Sequence, residues 1–164
     1  MNDFSWLKKC SYNEYGYDNY NPEYKHRFLQ QNEEKIEAEE KRMNRKFPGE
    51  LRDFYLQIGA GSLCIFNHDN HDEIMQPEDV VNFILGEDYF ETCSYRDEVN
   101  MNTTMVFFSL GDDVYFSLDL SQMDKDGICP IVAYPEYEPI VLAYSLKEFI
   151  MKMEKKLDFY EELL

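Results

Sequence analysis

The residues with the clearest chemical potential lie in one short polar stretch. Residues 67–73 read Asn-His-Asp-Asn-His-Asp-Glu and place the imidazoles of His68 and His71 among three carboxylates. Imidazole and carboxylate groups are metal ligands, so a metal-dependent hydrolase that uses His68, Asp69 and His71 is one hypothesis. The two histidines lie in a predicted loop and lack the i, i+4 helical spacing that sets two imidazoles on one metal. The pattern therefore favours the alternative, a solvated turn.

Other catalytic and ligand-binding patterns are incomplete. Residues 124–127, Asp-Lys-Asp-Gly, resemble part of a calcium loop, but Ser121 and Gln122 stand where earlier carboxylates are needed. The chain has no G-x-S-x-G nucleophile elbow and no glycine-rich phosphate motif that opens a helix. We therefore predict a protein that is not an enzyme and that uses no metal or other cofactor.

The net charge of −17 is concentrated in one part of the chain. Residues 53–146 carry eighteen Asp or Glu against only Arg96 and Lys125, whereas residues 1–52 carry ten residues of each sign. Such a field repels nucleic-acid phosphates and anionic membranes, and it attracts and steers basic proteins. We therefore predict a basic protein as the partner. The alternative is that the acidity serves solubility alone.

Composition places the chain among compact intracellular proteins. Hydrophobic residues make up 44% of the 164 positions, which suits one domain that spans residues 1–164. No apolar run approaches the about 18 residues of a membrane span, and the N-terminus does not resemble a signal peptide. The cysteines form no CxxC pair and are expected to be reduced thiols: Cys10, Cys64, Cys93 and Cys129. We therefore expect a cytoplasmic protein.

Four segments have the spacing and the end signals of helices. Residues 32–46 contain no Gly or Pro and many strong helix formers, and a second helix begins at Pro48 and ends before Gly59. Residues 77–86 begin with proline and two acids and end with glycine. Ser145 and Glu148 form an S-x-x-E capping box that opens a last helix, predicted to run to the C-terminus.

Short apolar runs bounded by turn residues predict the strands. The clearest is a hairpin around Gly-Asp-Asp at 111–113. The predicted strands are residues 63–66, 105–110, 114–118, 131–134 and 140–142. The order of elements indicates an α+β fold with a largely antiparallel sheet and helices packed on one side. Residues 1–31, rich in Tyr and Asn, are predicted to form an irregular N-terminal arm.

An ordered series of residues resembles the signature of a known family. In the first two predicted helices and the turn after them, the matching positions are Ile36, Glu40, Met43, Phe47, Pro48, Leu51, Phe54 and Gly59. They resemble the I-x3-E-x2-L-x3-L-P helix pair and glycine turn of the SUKH (Smi/Knr-like) superfamily. Downstream matches to the family's hairpin, following strand and last helix are Gly111, Asp112, Asp119, Gly127, Pro130, Ile131, Val132, Ser145 and Phe149.

The resemblance implies a function as well as a fold. SUKH proteins are mostly bacterial toxin-immunity proteins, with fungal cell-wall regulators among their relatives. Such an immunity protein binds a cognate polymorphic toxin domain and blocks its active site or substrate groove. Many of these toxins are basic nucleases, which would explain the acidic middle of the chain. The matched positions are expected to be structural, with Glu40 accepting hydrogen bonds from nearby backbone donors. The alternative is a regulatory or scaffolding module of the same fold that binds a host protein.

The predicted toxin contacts are acidic residues in loops, together with neighbouring aromatic residues that could anchor an interface. The acidic candidates are Glu87, Asp88, Glu91, Asp97, Glu98, Asp112, Asp113, Glu136 and Glu138. The aromatic candidates are Tyr89, Phe90 and Tyr137.

Overall fold

The computed structural model describes residues 1–12, 25–65 and 71–164, with the backbone alone for residues 10–12. The α-helices in these ranges are α1 (Glu33–Met43), α2 (Gly49–Gln57), α3 (Pro77–Leu85) and α4 (Leu146–Lys155). Short 3-10 helices occur at Ser5–Cys10, Asp88–Thr92, Ser94–Asp97, Leu120–Gln122 and Phe159–Glu162. The four predicted helices are therefore present, although two of them are shorter than predicted.

Local hydrogen bonds explain where the helices begin and end. The side chain of Asn32 accepts from the Lys35 N–H at 2.9 Å and caps α1. Asn44 ends that helix in the left-handed region, at φ 54°, and this is why α1 stops short of the predicted residue 46. Ser145 caps α4 by accepting from the Glu148 N–H at 3.0 Å, which confirms the predicted cap.

The strands of the described residues form one eight-stranded sheet in sequential order. They are β1 (Ser11–Tyr12), β2 (His26–Leu29), β3 (Ala60–Ser62), β4 (Glu73–Ile74), β5 (Thr104–Gly111), β6 (Val114–Asp119), β7 (Ile131–Ala133) and β8 (Ile140–Ala143). Neighbours are antiparallel except β1 and β2, which pair in parallel. The α+β prediction and the β5–β6 hairpin are confirmed.

Helices α2 and α4 pack on an aromatic face of the sheet. Phe108 stands between Ile74 and Phe116 in the register of β4, β5 and β6, so the three side chains share one face. Phe149 of α4 meets Phe108 edge to face, with ring centroids 5.0 Å apart. Phe54 of α2 packs on the β2 residue Phe28 in the same way, at 5.4 Å. The four aromatic and aliphatic side chains of this face and the helix residues packed on it belong to one apolar core.

The strand predicted at residues 63–66 is wrong in position, because the paired segment is Ala60–Ser62. Gly61 has φ +144°, and a Cβ there would lie 2.5 Å from the Arg27 carbonyl oxygen, so glycine permits the close approach of β2 and β3. The apolar residues Leu63 and Cys64 follow this strand, and both are fully buried in the core. Phe66, the last residue of the prediction, lies outside the described residues.

A second difference concerns the polar stretch 67–73. Its last residue, Glu73, belongs to β4 and pairs with Ser62 and Ser109 on the neighbouring strands. Asp72, just before, accepts from the Leu63 N–H through its carbonyl at 2.9 Å. The end of this stretch is therefore part of the sheet and not a solvated turn, because its backbone groups join two neighbouring strands.

The predicted arm, residues 1–31, contributes to the sheet and to the core. Residues 26–29 form β2, with His26 and Phe28 facing inward in the alternation of a strand. Phe4 and Leu7 are fully buried. The prediction of an irregular arm is therefore wrong for these parts, and residues 13–24 lie outside the described ranges. The extent of the domain, residues 1–164, stays a prediction.

The last helix ends earlier than predicted. α4 stops at Lys155, and Lys156 is extended, so the chain turns before a 3-10 helix begins at Phe159. This turn brings the Phe159 ring to 5.8 Å from Phe149 and the Tyr160 ring to 5.0 Å from Phe116. Packing of two aromatic rings on the core therefore replaces continued helix.

Candidate partner-binding site

A cleft of about 290 Å³ opens between β4, α3, the β5–β6 hairpin and the 3-10 helix Asp88–Thr92. Its four carboxylates come from three of these elements: Glu73, Asp79, Asp112 and Asp113. Its other lining side chains include Met75, Tyr89, Phe90, Ser109 and Tyr115. We call this cleft the acidic groove. Glu73, Ser109 and Tyr115 are in register on adjacent strands, which places their side chains along one face of the sheet.

The hairpin tip holds two carboxylates at the mouth of the acidic groove. Asp112 and Asp113 both adopt the left-handed conformation, at φ 50° and 58°, after Gly111 at φ 82°. A two-residue turn of this kind fits the twist of the flanking strands, and Asp tolerates it better than most residues do. The tight turn therefore fixes the direction in which both carboxylates leave the sheet.

Two tyrosines hold the Asp113 carboxylate. The hydroxyl groups of Tyr89 and Tyr115 donate to the same oxygen, Oδ1, at 3.2 and 3.1 Å. The charge of Asp113 raises the pKa of Tyr89, and burial together with the hydrogen bond to Asp113 raises the pKa of Tyr115. Both phenols therefore stay protonated as donors. No hydrogen bond to Oδ2 of Asp113 is found within the described ranges, and Asp113 lines the groove.

Like charges surround two carboxylates of the acidic groove, Glu73 and Asp79. Burial raises the pKa of Glu73, and the neighbouring charge of Asp79 raises it further. Burial also raises the pKa of Asp79, with additional contributions from the charges of Glu78 and Asp88. Among the described residues, no Lys or Arg forms an ion pair with Glu73, Asp79, Asp112 or Asp113. The groove is thus a place where a cation from outside would relieve repulsion.

The charge of Arg27 lowers the pKa of Glu73 in part, but two other nearby arginines bind elsewhere. Arg96 donates from Nε to the Phe83 carbonyl at 2.7 Å and from Nη2 to the Ile84 carbonyl at 3.1 Å. It thereby satisfies carbonyls in the last turn of α3. Arg42 pairs with Glu87 at 2.7 Å. Glu87 is therefore the one predicted contact that already has a basic partner within the described ranges.

The predicted contacts fall into separate regions of the surface. Asp112, Asp113, Tyr89 and Phe90 meet in the acidic groove, but Phe90 is only 6% exposed. Its ring packs on Phe83 with centroids 5.3 Å apart, so Phe90 supports the groove and is not an exposed anchor. The remaining acidic candidates of this part of the chain are exposed around the two 3-10 helices outside the groove: Asp88, Glu91, Asp97 and Glu98.

The third set of predicted contacts lies in the turn between β7 and β8. Glu136, Tyr137 and Glu138 are exposed there, with Tyr137 at 97%, and they do not line the acidic groove. Conversely, Glu73 and Asp79 line the groove although the sequence suggested other roles for them. In the sequence, Glu73 was part of the stretch 67–73 considered for metal binding. Asp79 was interpreted as an acid in the first turn of a helix, where the helix dipole favours negative charge.

The residues considered for metal and thiol chemistry are only partly described. His68 and Asp69 lie outside the described residues, and His71 is exposed. No group of three or more His, Cys, Asp or Glu in the described ranges is arranged to hold a metal ion. Cys64 and Cys129 are buried, Cys93 is partly exposed, and the side chain of Cys10 is not described. Burial raises the pKa of Cys129 to about 12.

Glu40 lies away from the acidic groove in different surroundings. Its buried carboxylate accepts from the Phe47 N–H at 3.2 Å, from Lys46 Nζ at 2.8 Å and from Arg52 Nε at 3.1 Å. Burial acts to raise the pKa of Glu40, but these three hydrogen bonds lower it below its usual value. The prediction that Glu40 satisfies backbone donors is confirmed. We call Glu40, Lys46, Phe47 and Arg52 the Glu40 cluster.

Comparisons with known proteins agree with this fold. The SUKH_6 family model, described as SMI1-KNR4 cell-wall, matches residues 33–150. A protein of Bacillus subtilis (strain 168) named "Immunity protein YxxD" is 32% identical over 140 residues, a match that covers 84% of this chain and 89% of that protein. Among solved structures, none matches significantly. Within the described ranges, no helix is long and apolar enough to cross a membrane.

Proposed function

The chain belongs to the SUKH superfamily, and on that premise we propose that it is an immunity protein that neutralises a cognate toxin through the acidic groove. The observation that carries the immunity role is the 32% identity to an immunity protein over most of both chains. The proposal places the protein in the cytoplasm, where it acts by stoichiometric binding and without turnover. The matched residues supply no nucleophile, and apart from Asp112 in the groove their roles are structural.

Uncompensated charge supports the choice of the groove as the contact surface. Burial and the charge of Asp79 raise the pKa of Glu73, and burial with the charges of Glu78 and Asp88 raises the pKa of Asp79, so each ionised carboxylate is held at a free-energy cost. A Lys or Arg side chain of the toxin that enters the groove would convert this repulsion into attraction. Close charge pairs across protein interfaces reach coupling energies of about 1.5–7 kcal/mol. The groove therefore suits a basic partner better than a neutral one.

The arrangement around Asp113 supports directional binding of a cation. Two phenol donors fix Oδ1, and the Asp113 carboxylate lines the groove without a hydrogen bond to Oδ2 in the described ranges. A carboxylate held in this way loses little side-chain entropy on binding, which strengthens the pair. Tyr89 is 68% exposed beside it and can pack against the aliphatic part of a Lys or Arg side chain. We propose that the toxin is basic, as a nuclease that binds phosphates would be.

The immunity role is tested by protection. The toxin gene expected beside the gene for this chain is expressed in a host with and without this chain, and growth is measured. We expect growth only with the chain present, together with a complex of one toxin to one immunity protein on size-exclusion chromatography. Growth arrest in both cultures, with no complex formed, would contradict the proposal.

The site is tested separately with matched variants. Asp112→Asn with Asp113→Asn removes two charges from the groove, and Glu136→Gln with Glu138→Gln removes two from the β7–β8 turn. We expect the first pair of substitutions to abolish or weaken protection and the second to preserve it. Equal protection by both double variants would move the binding site away from the groove while leaving the immunity role intact.

A regulatory module of the same fold is the second candidate. It is favoured by the family description, SMI1-KNR4 cell-wall, which does not name immunity. Isolation of the bound chain from the native cell distinguishes the two candidates. A toxin domain encoded by the adjacent gene supports immunity, and a host protein encoded elsewhere supports regulation.

A further inference from the structure

The last strand of the sheet has an irregular free edge. β8 is the terminal strand in the order of the described sheet. Val141 pairs with Val132, whereas Ala143 pairs with Ile131, and this shift leaves Leu142 as a bulged residue. Edge strands carry backbone groups that can pair with another chain, and bulges are one of the ways in which proteins discourage such pairing.

Two side chains of α4 occupy one backbone group of β8 and one just beyond its end. Lys152 Nζ donates to the Leu142 carbonyl at 3.0 Å. The Tyr144 N–H, two residues further, donates to Glu148 Oε2 at 2.7 Å. A carbonyl and an N–H in this relation are groups that an added strand would use. The ion pair of Glu148 and Lys152 therefore takes the place of a neighbouring strand.

The position of Lys152 is fixed by further contacts. Its Nζ lies 3.0 Å from Glu148 Oε1 and 5.6 Å from the centre of the Phe159 ring. Contacts on three sides hold the ammonium group over the Leu142 carbonyl. A lysine side chain that simply extended into solvent would not make these contacts, because its aliphatic stem is flexible.

The surroundings of β8 favour contact with a second copy of the chain, which a local barrier would prevent. Val141, Tyr144 and Met151 are 41%, 71% and 45% exposed, and together they offer apolar surface beside the edge. Residues 53–146 repel other copies of the chain through eighteen acids against two bases, but residues 147–164 carry five acids and four lysines. Helix α4, which packs beside β8, therefore lies in a nearly neutral part of the chain and adds little repulsion to this edge.

We propose that Glu148 and Lys152 form an edge cap that keeps β8 from pairing with β8 of a second copy of this chain. The cap fills the acceptor of Leu142 and the donor of Tyr144, and it leaves the acidic groove, at the β4–β6 part of the sheet, available to a partner. The inference does not depend on the identity of that partner.

The test compares two lysine substitutions on α4. Lys152→Met keeps the aliphatic stem but removes the ammonium donor, and Lys147→Met makes the same change of charge at an exposed position. Light scattering coupled to size-exclusion chromatography measures the molar mass over a dilution series. We expect wild type and Lys147→Met to stay at 19.7 kDa, while Lys152→Met rises toward twice that mass as concentration increases.

Two further variants keep the test decisive if Lys152→Met fails to fold or associates through another surface. Glu148→Ala opens the edge from the donor side and should also self-associate, which covers the case in which Lys152→Met fails to fold. Adding Val141→Lys to Lys152→Met should restore the monomer by placing a charge on the opened edge. The proposal is overturned if Lys152→Met and Glu148→Ala, folded by circular dichroism, stay monomeric. It is overturned equally if Lys147→Met associates to the same extent.

Discussion

The Glu40 cluster and the acidic groove place carboxylate groups in opposite electrostatic environments. Glu40 is 4% exposed, yet three donors from its own chain hold its pKa below the usual value. Glu73 and Asp79 in the groove have raised pKa values, because burial and like charges dominate there, although the charge of Arg27 lowers the pKa of Glu73 in part. A carboxylate satisfied within the fold indicates a structural role. Carboxylates left in mutual repulsion indicate a surface that is completed by another molecule.

The largest effect on stability is expected in the Glu40 cluster. Glu40→Ala removes the acceptor of the Phe47 N–H and leaves Lys46 and Arg52 without their shared carboxylate. Because the site is buried at its centre but both cations reach solvent, we expect a loss of about 2–3 kcal/mol in the free energy of unfolding. Urea denaturation measures it. A loss no larger than that of Glu136→Gln would break the distinction between the two regions.

A smaller effect is expected from pH at Asp72, next to the groove residue Glu73. Burial raises the pKa of Asp72 from 3.8 to about 6. The folded protein therefore takes up a proton that the unfolded chain does not bind until the pH is much lower. The free energy of unfolding should therefore rise by about 1 kcal/mol as the pH falls from about 7 to about 5. Asp72→Asn should remove this rise, and an unchanged slope would contradict the assignment.

The smallest effect is expected from neutralising the groove itself. Glu73→Gln keeps the shape of the side chain and removes its repulsion with Asp79, so we expect a gain of about 0.5 kcal/mol in the free energy of unfolding. Glu136→Gln in the β7–β8 turn serves as the control and should leave stability unchanged. Thermal melting at low salt measures both variants. Destabilisation by Glu73→Gln would mean that the groove carboxylates support the fold as Glu40 does.

Local signals in the sequence predicted the elements better than the groove. The hairpin around Asp112 and the cap at Ser145 depend on neighbouring residues and were predicted correctly. The strand at Ala60–Ser62 was missed because it is not a run of apolar residues. Its Gly61 is required by the close approach of β2, and a hydrophobic pattern does not reveal such an approach. Such a contact between distant segments leaves no local pattern.

The candidate site was predicted only in part, for a similar reason. Asp112, Asp113 and Tyr89 could be selected as loop residues, and the structure brings them together. Glu73 and Asp79 join them only because β4 pairs with β5 and α3 begins beside it. Phe90 shows the opposite error, since an aromatic residue among acids looked exposed but packs on Phe83.

The most direct measurement of the central claim is the association rate of the toxin as a function of ionic strength. Wild type, the groove variant with Asp112→Asn and Asp113→Asn, and the turn variant with Glu136→Gln and Glu138→Gln are compared by stopped-flow fluorescence. We expect the groove variant to associate about tenfold more slowly at low salt and with a weaker salt dependence, while the turn variant resembles wild type. Identical rates and salt slopes for all three proteins would contradict the groove as the binding site.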